Sequence, residues 1–243
     1  MPQRIDVYSI MRNEIKILPY FLRYYETFAD RILVWDDHST DGTREMLESN
    51  PKVTLLPLNM DGADDVYYVK YLWPQYEEIS REHADWVICV DADEFAYHPD
   101  IRQRLSELTE RGNKRVRLDG YTMYHPTFPT TAGQIYDEIK VGWPDVWSRK
   151  TVLFTPDMHM TWKPGRHNCV PSRHIETVVD SNINLLHFRY LGPEYFLERN
   201  KKNCESMKIK FKDDKNYNLP DGTRGIPYIW YENNKDKVIR LVE

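Results

Sequence analysis

The sequence predicts an α/β domain with a mainly parallel sheet flanked by helices. Short apolar segments of strand composition alternate with amphipathic segments of helical period through the first half of the chain, which is typical of this class. Trp86 to Val90 is apolar throughout, as expected for a strand buried on both faces of a parallel sheet. Two apolar strands end in carboxylates, at Asp36-Asp37 and at Asp91-Ala92-Asp93. Ligands of open α/β sheets bind at such strand ends.

The first half of the chain contains five predicted strands and four predicted helical segments. Strand composition and alternation predict the strands, and apolar residues at helical spacing predict the helices. The strands are Ile5–Met11, Arg31–Trp35, Val53–Leu58, Trp86–Val90 and Lys114–Leu118, and the helical segments are Glu14–Phe28, Arg44–Glu48, Asp64–His83 and Pro99–Arg111. Pro74 lacks a backbone N–H, so we expect it to kink or split the third helical segment.

The second half of the chain has a different composition. From Gly120 to Asn168 it is rich in Pro, Thr, Trp and His, which indicates an irregular excursion over the site. The elements predicted beyond Gly120 are strands at Thr151–Phe154 and Ile183–Tyr190, a helix opening at Pro193, and a last short element near Val238–Val242. We expect one domain over residues 1–243, with its two halves meeting at about residue 119.

Composition excludes several classes of protein. Hydrophobic residues make up 41% and charged residues 29% of 243 residues, and no apolar run approaches the ~20 residues that span a bilayer. We therefore expect a cytoplasmic protein without a transmembrane segment, which is compatible with peripheral membrane association. Cys89, Cys169 and Cys204 form no C-x-x-C pattern, which argues against a disulfide framework and a structural zinc site. A net charge of -5 argues against a nucleic-acid partner.

The acidic strand ends indicate a cation site. Two carboxylates brought close together repel each other unless a divalent cation such as Mg2+ or Mn2+ neutralises them. The alternative is that Asp91 or Asp93 caps the helix that begins near Pro99. Gly42 is the first glycine of the chain, so neither a dinucleotide fingerprint nor a P-loop follows the first strand. One acidic pair could bind a base and ribose while the other holds a metal on phosphates.

Three segments in order resemble a known family. Ser9 to Glu14, Ala29 to Thr43 and Asp85 to Phe95 look like the opening of family-2-like glycosyltransferases with the GT-A fold, and Asp91-Ala92-Asp93 matches their D-x-D signature. The resemblance implies a nucleoside-diphosphate sugar as donor, with a UDP-sugar favoured, and Mn2+ or Mg2+ on its diphosphate. It also implies transfer to the hydroxyl of a glycan or other acceptor. Residues 1–119 would bind the donor, and residues 120–243 the acceptor.

The resemblance assigns roles to individual residues. The residues that would bind the donor are Met11, Arg12, Asn13, Glu14, Asp36, Asp37 and Asp91. Asp36 is the stronger candidate for contact with the nucleotide base, because related sequences often have Asn at the position of Asp37. The alternative role for Asp37 is to orient the turn. Asp91 would face the ribose and Asp93 would ligate the metal.

Two later segments supply further candidates. Leu185 to Tyr190 resembles the C-terminal segment of this family in which a His returns to the metal, which implies His187 as a ligand suited to Mn2+. Taken alone, a His in an apolar strand is more often an ordinary core residue. The loop from Trp162 to Asn168 is a second candidate, since Arg166 and His167 could bind phosphate or the acceptor. The alternative is a plain polar loop.

An inverting transferase also needs a general base beside the acceptor hydroxyl. We assign this catalytic role to Asp145, Glu138 or His167, and prefer Asp145 because Trp143 and Trp147 flank it with rings that suit a sugar. The chain does not match the acidic acceptor-side motif of the family.

Two other functions stay open. One is a sugar-1-phosphate nucleotidylyltransferase, which would need a glycine-rich phosphate loop. The other is a non-catalytic carbohydrate-binding domain. The sequence does not predict an oligomeric state.

Overall fold

The structure is a computed structural model that describes residues 3–59, 65–146, 148–166, 169–171, 177–206 and 232–242. Its strands are β1 Ile5–Met11, β2 Arg31–Asp36, β3 Val53–Leu56, β4 Trp86–Cys89, β5 Glu94–Tyr97, β6 Arg115–His125, β7 Val141–Pro144, β8 Leu153–Phe154, β9 Met160–Trp162, β10 Cys169–Pro171, β11 Val178–Leu191 and β12 Ile239–Arg240. Its α-helices are α1 Leu18–Tyr25, α2 Thr43–Ser49, α3 Asp65–Tyr67, α4 Tyr76–Ile79, α5 Ile101–Glu110, α6 Ile135–Glu138 and α7 Pro193–Ser206.

The described residues fall into two compact units. The first contains the residues up to 121 together with 145–187, and the second contains 122–144 and the residues from 188 onward. The two units therefore differ from the predicted halves, because residues 145–187 return to the first unit, where they supply β8. That the chain works as one domain stays a prediction.

The sheet of the first unit is parallel at its centre. β1 lies between β2 and β4 and is parallel to both, and β3 is parallel to β2. Antiparallel strands follow beyond β4, where β8 pairs with β4 and β6 pairs with β8. β5 pairs antiparallel with β11. The predicted fold class is confirmed as a mixed α/β fold whose central sheet is mostly parallel and is flanked by helices.

Aromatic residues form much of the core on one face of this sheet. Tyr8, Trp35, Tyr76 and Phe154 are fully buried, and Trp73 is nearly so. The ring centroids of Trp35 and Trp73 lie 6.0 Å apart, and those of Tyr76 and Phe154 lie 4.8 Å apart. Burying one such side chain stabilises the fold by about 1.5–3 kcal/mol. This cluster attaches the helical segment after β3 to β1, β2, β4 and β8.

Helix α1 attaches β5 to the rest of the unit. The hydroxyl of Tyr24 donates to the carbonyl of Ala96 at 2.7 Å, and the hydroxyl of Tyr25 donates to the carbonyl of Glu94 at 2.8 Å. The ring of Phe95 stacks on that of Tyr24 with centroids 5.0 Å apart. These contacts fix the backbone directly after the Asp91-Ala92-Asp93 turn.

The segment predicted as a helix with a break at Pro74 is indeed divided. Helix α3 passes into a π-helix at Tyr68–Leu72, a 3-10 turn follows at Trp73–Gln75, and α4 begins at Tyr76. The N–H of Trp73 bonds to the carbonyl of Tyr68, five residues back. Pro74 offers no N–H for an α-helical bond, and the wider π turn precedes it.

Several element boundaries differ from the prediction. Helix α1 begins at Leu18 rather than Glu14, because Glu14 accepts a turn hydrogen bond from Ile17 and Pro19 suits only the first helical turn. Strand β6 continues through Gly120, where the irregular excursion was expected to begin. A Cβ on Gly120 would lie 2.1 Å from the carbonyl carbon of Ser148, so this close approach requires glycine.

The second unit contains its own small core. Strand β12 pairs antiparallel with β7, so the element predicted near Val238–Val242 is present as Ile239–Arg240. Trp143, Tyr190 and Phe196 are buried together. Helix α7 begins at Pro193, as predicted. Among the described helices of either unit, none has the length and apolar content needed to cross a bilayer.

Candidate functional site

The candidate site lies at the carboxyl ends of β1, β2 and β4. Because these strands are parallel neighbours, the loops that follow them share one edge of the sheet. Met11 pairs with Asp36 in the β1–β2 register, and the N–H of Asp37 donates to the carbonyl of Met11 at 2.7 Å. Met11 itself is buried. The two acidic strand ends predicted from the sequence are therefore on the same edge.

The loops after β1 and β2 are joined by side-chain hydrogen bonds. The N–H of Asn13, which has a left-handed φ of 55°, donates to the hydroxyl of Ser39 at 2.9 Å. The carboxamide oxygen of Asn13 accepts from the N–H of Thr40 at 2.7 Å, and the N–H of Glu14 donates to the hydroxyl of Thr43 at 2.8 Å. Asn13 and Glu14 thus hold the shape of this edge, and whether they also contact a base stays a prediction.

Asp37 is buried and fully engaged by protein groups. One carboxylate oxygen accepts from the hydroxyl of Tyr68 at 2.9 Å and from the guanidinium of Arg12 at 3.1 Å. The other oxygen lies 3.2 Å from Nδ1 of His38. Burial and the adjacent Asp37 charge raise the pKa of Tyr68, which keeps its phenol protonated as a donor. These bonds support the view that Asp37 orients the turn.

Asp36 is placed differently although it is equally buried. Its Oδ2 accepts from the N–H of Ser39 at 3.3 Å and from Arg44 at 3.4 Å. Its Oδ1 is buried and has no hydrogen-bond partner among the described residues. An unpaired buried carboxylate oxygen is costly unless a donor completes it. Asp36 can therefore accept an N–H of a ligand such as a nucleotide base.

Asp91-Ala92-Asp93 forms the turn between β4 and β5. The N–H of Glu94 donates to the carbonyl of Asp91 at 3.0 Å, and the N–H of Asp91 donates back to the Glu94 carboxylate at 3.1 Å. Neither Asp91 nor Asp93 caps the next helix. Asp100 does so, by accepting from the N–H of Gln103 at 3.0 Å. The helix-cap alternative is therefore wrong for both acids of the D-x-D segment.

Two buried cations neutralise part of this turn. Lys150 Nζ lies 2.6 Å from Oε1 of the buried Glu94 and 3.3 Å from Oδ2 of Asp91. Arg166 pairs with Asp91 and donates to the carbonyl of Cys89 at 2.7 Å. Only 6% of the Lys150 side chain and 5% of the Arg166 side chain are exposed, against 43% for Asp91. Both cations are thus committed to the turn.

Trp73 covers the guanidinium of Arg166. The Arg166 Cζ lies 4.2 Å from the centroid of the Trp73 ring, within the range of a cation–π contact. Arg166 has a φ of 55° and follows Gly165, whose φ is 77°. This left-handed pair of residues turns the loop back toward β4. The loop predicted to bind phosphate or acceptor therefore uses its Arg166 to fix Asp91.

The charges at this turn are mutually stabilising. Burial raises the pKa of Asp91, but the charges of Arg166 and Lys150 outweigh that effect and lower it below its usual value. Burial lowers the pKa of Lys150, but Glu94 and Asp91 outweigh burial and raise it. Burial raises the pKa of the Cys89 thiol behind the turn, which leaves it unreactive. Asp91 is therefore ionised and Lys150 is charged.

His187 meets Asp93 although the two are far apart in sequence. Strand β11 pairs with β5, so that His187 lies opposite Glu94. Nε2 of His187 lies 2.9 Å from Oδ2 of the buried Asp93. Nδ1 of His187 lies 3.2 Å from the hydroxyl of Ser148, which in turn donates to Oδ2 of Asp145 at 2.8 Å.

The donor atoms of Asp93 and His187 fit a divalent cation that is only partly held by protein. Mg2+ and Mn2+ are often bound by one or two protein ligands, with phosphates and water completing the shell. Among the described residues there is no group of three or more His, Cys, Asp or Glu side chains able to hold a metal alone. The pair could hold such a cation together with a phosphate ligand, and imidazole favours Mn2+.

The three residues predicted as catalytic fall in different places. Asp145 lies in the first unit, where the hydroxyl of Ser148 contacts both Asp145 and His187. Glu138 lies in α6 of the second unit, where its carboxylate accepts from the N–H groups of Thr130 at 3.1 Å and Thr131 at 2.9 Å. His167 lies outside the described residues.

The sequence did not indicate Lys150, Ser148 or Tyr68 as residues of the site. Lys150 and Ser148 lie in the stretch interpreted as an irregular excursion, and Tyr68 is one of seventeen tyrosines. No spacing or motif marks any of the three. They reach the site through pairing of distant strands and through the π turn.

Comparison with known proteins gave matches among solved structures. Residues 1–349 of TarS from S. aureus match with 13% identity over 85% of this chain and 66% of that chain, with a TM-score of 0.46. A longer TarS crystal structure matches with 14% identity over 85% of this chain and 40% of that chain, with a TM-score of 0.45. The complex of TarS 1–349 with UDP-GlcNAc gives 13% identity, 85% and 67% coverage and a TM-score of 0.44.

No family model matches the chain, and no curated protein matches it either. The chain spans 66% and 40% of the lengths of the first two TarS structures. Because the identities are this low, what the chain binds has to follow from its own residues.

Proposed function

We propose that this chain is a metal-dependent glycosyltransferase of the GT-A type. It would move a sugar from a nucleoside-diphosphate sugar, a UDP-sugar in particular, to an acceptor hydroxyl in glycan or polysaccharide synthesis. The resemblance of its first hundred residues or so to family-2-like enzymes supports this reaction. The observation that carries the proposal is the 2.9 Å approach of His187 to Asp93 on the sheet edge that also holds Asp36.

Each strand end would bind a different part of the donor. Asp36, with its unpartnered Oδ1, would accept an N–H of the base. Asp91 would face the ribose with the exposed part of its carboxylate. Asp93 and His187 would hold Mn2+ or Mg2+ against the diphosphate. The bound cation would act as a Lewis acid for the charge that builds up on the leaving diphosphate.

The buried cations reduce the negative charge that a bound diphosphate would meet at the turn. Asp91, Asp93 and Glu94 bring three carboxylates to one turn, and Lys150 and Arg166 offset two of them. Without that offset, the approaching diphosphate would meet three negative charges. Lys150 and Arg166 thus make the turn less repulsive while they fix Asp91 and Glu94.

The general base is proposed among Asp145, Glu138 and His167. It would take the proton of the acceptor hydroxyl as that oxygen attacks the sugar on the face opposite the diphosphate, which inverts the anomeric centre. Of the two candidates that the structure describes, Asp145 lies in the same unit as Asp93.

The test is nucleotide binding with and without Mn2+. Isothermal titration should show that UDP and UDP-GlcNAc bind about tenfold or more tightly with Mn2+, which corresponds to about 1.4 kcal/mol. Asp93→Asn should remove this Mn2+ dependence while the protein stays folded, because the two side chains have the same shape. The matched control is Asp236→Asn, at an exposed carboxylate of the second unit. Metal-independent binding, or an unchanged Asp93→Asn variant, would contradict the proposal.

The products then distinguish the reaction classes. A glycosyltransferase releases UDP from UDP-GlcNAc and transfers or hydrolyses the sugar. A nucleotidylyltransferase would instead join UTP to a sugar 1-phosphate and release pyrophosphate. A carbohydrate-binding domain would bind sugar without regard to metal or nucleotide and release neither.

A further inference from the structure

Four polar side chains form a continuous hydrogen-bonded row in the first unit. Oδ2 of Asp145 accepts from the hydroxyl of Ser148 at 2.8 Å. The same hydroxyl lies 3.2 Å from Nδ1 of His187, and Nε2 of His187 lies 2.9 Å from Oδ2 of Asp93. Three separate segments supply these groups, namely the Asp145–Ser148 loop, β11 and the turn after β4. The row therefore depends on tertiary structure.

The backbone fixes the Asp145–Ser148 loop independently of its side chains. The N–H of Ser148 donates to the carbonyl of Asp145 at 3.0 Å, and the N–H of Asp145 donates to the carbonyl of Gly120 at 2.9 Å. Ser148 is 2% exposed, so solvent does not supply its partners. Among the residues that the structure describes, Asp145 and His187 are the side chains that bond to its hydroxyl.

The available protons determine which group donates and which accepts in each hydrogen bond of the row. An ionised carboxylate only accepts hydrogen bonds, so the single hydroxyl proton of Ser148 belongs to the bond with Asp145. Toward His187 the Ser148 oxygen can then only accept. With the Ser148 proton in that bond, a neutral His187 ring bonds to Ser148 when its proton is on Nδ1. Nε2 is left with its lone pair, which faces the carboxylate of Asp93.

A lone pair opposite a carboxylate at 2.9 Å is repulsive unless something positive lies between or beside them. We propose that Ser148 and Asp145 are positioning residues that hold His187 as its Nδ1–H tautomer, so that Nε2 is the electron-pair donor to a divalent cation shared with Asp93. This inference rests on the proposed function. Groups that bond to the far nitrogen of a metal-binding His fix its tautomer and orientation in the same way.

The proposal gives Asp145 a positioning task besides the base role proposed above, because its Oδ2 accepts from Ser148. The competing arrangement is a merely structural row, in which Nε2 of His187 carries the proton and donates to Asp93. The two arrangements differ in one observable quantity, the tautomer of His187.

The experiment is a long-range 1H–15N correlation spectrum of the metal-free full chain labelled with 15N-histidine, at a pH where the ring is neutral. The chain has eight histidines, and His187 is assigned by the signals lost in His187→Gln. The wild type should show the Nδ1–H pattern for His187. An Nε2–H pattern in the wild type would overturn the proposal.

Two variants should reverse the tautomer for different reasons. Ser148→Ala removes the acceptor of the Nδ1 proton, so that the ring should carry its proton on Nε2 and donate to Asp93. Asp145→Ala keeps the Ser148 hydroxyl but frees its proton to be donated to Nδ1, with the same result. Ser49→Ala, at the exposed end of α2, is the matched control and should leave the pattern unchanged. If neither variant changed the tautomer, the positioning role would be refuted.

Mn2+ binding without nucleotide, followed by electron paramagnetic resonance, separates this inference from the proposed function. Ser148→Ala should weaken Mn2+ binding by roughly 10- to 100-fold, as other losses of a ligand's supporting bond do. If the wild type showed Nδ1–H but bound no Mn2+, the metal-dependent function would fail while the positioning role stood. If Mn2+ bound equally well to the wild type and Ser148→Ala, the positioning role would fail and the metal site would stand.

Discussion

The two acidic strand ends of the first unit, after β2 and after β4, follow the same plan. In each, one acid is held by cations and hydrogen-bond donors, and the other is the one proposed to bind the donor or its cation. After β2 the held acid is Asp37, and Asp36 keeps an unpartnered oxygen. After β4 the held acid is Asp91, and Asp93 faces His187. Each pair of acids thus combines a structural task with a proposed binding task.

The two ends differ in where their cations come from. The groups around Asp36 and Asp37 are mostly close in sequence, and the side chains of Arg12 and Arg44 are 33% and 50% exposed. The cations at Asp91 come from positions 150 and 166 and are almost fully buried. An exposed ion pair contributes little stability, whereas a buried one is costly to break. We therefore expect the loss of a cation to lower the free energy of unfolding much more at the end of β4 than at the end of β2.

The largest effect is expected for Lys150→Met. It leaves the fully buried Glu94 without its closest cation, and breaking a buried pair in this way costs about 3–5 kcal/mol. Urea unfolding measures the change in the free energy of unfolding. The matched variant at the other end is Arg44→Met, whose half-exposed pair with Asp36 contributes less than about 1 kcal/mol.

A second substitution tests whether the uncompensated charge of Glu94 causes this loss of stability. Adding Glu94→Met to Lys150→Met should recover much of the lost stability, because it removes the uncompensated charge. Equal losses in Lys150→Met and Arg44→Met would show that the two strand ends do not differ in the way described.

A smaller effect is expected for Tyr68→Phe at the β2 end. The change removes one donor from the buried carboxylate of Asp37, and a hydrogen bond to a charged group contributes about 1.5–3 kcal/mol. Thermal and urea unfolding both report this loss. Tyr71→Phe is the control, because Tyr71 is about half exposed and lies on the same helical segment. A Tyr68→Phe variant as stable as the control would mean that Arg12 and His38 suffice to hold Asp37.

The smallest effect is expected for Asp180→Asn, because Asn keeps an acceptor oxygen for Arg104; this pair lies outside the site and serves as a reference. Arg104 bonds to Asp180 at 2.6 Å. Burial raises the pKa of Asp180, but the bond to Arg104 outweighs it and lowers the pKa below the ordinary value of 3.8. The folded protein thus binds the proton less readily than the unfolded chain. The stability from Asp180 is present above about pH 4 and is lost as the pH falls through the folded-state pKa.

Unfolding of the wild type and of Asp180→Asn between pH 7 and pH 2 measures this contribution. The gap in stability between the two proteins should be largest near neutral pH and should narrow in acid. Nucleotide binding at neutral pH should be the same for both. A gap that widened in acid would contradict the sign of the shift.

Local pattern was enough to predict the frame of the site. β1, β2 and β4 are short apolar runs, and the acids that end them are adjacent in sequence, so Asp36, Asp91 and Asp93 were predicted at strand ends from composition and order. The break at Pro74 followed from the missing N–H of proline. His187 was singled out through resemblance to a family, since its apolar strand alone favours an ordinary core residue.

The partners of these acids could not be predicted in the same way. Lys150 and Arg166 contact Asp91 across 59 and 75 residues, and only strand pairing and a left-handed turn bring them there. Strand β5 was not predicted, because Glu94 to Tyr97 is too short to stand out beside the acidic turn. A single sequence contains no direct record of such distant contacts.

The π turn at Tyr68–Leu72 determines the directions of two side chains, one at each acidic strand end. In an α-helix each residue advances about 100°, so residues five apart point about 140° away from each other. In a π turn the residue five positions on comes back to nearly the same side. Tyr68 and Trp73 are five apart, and one reaches Asp37 while the other covers Arg166. Converting this turn to a regular α-helix with the same number of residues would point one of the two away from its partner, although no side chain of either acidic end had been altered.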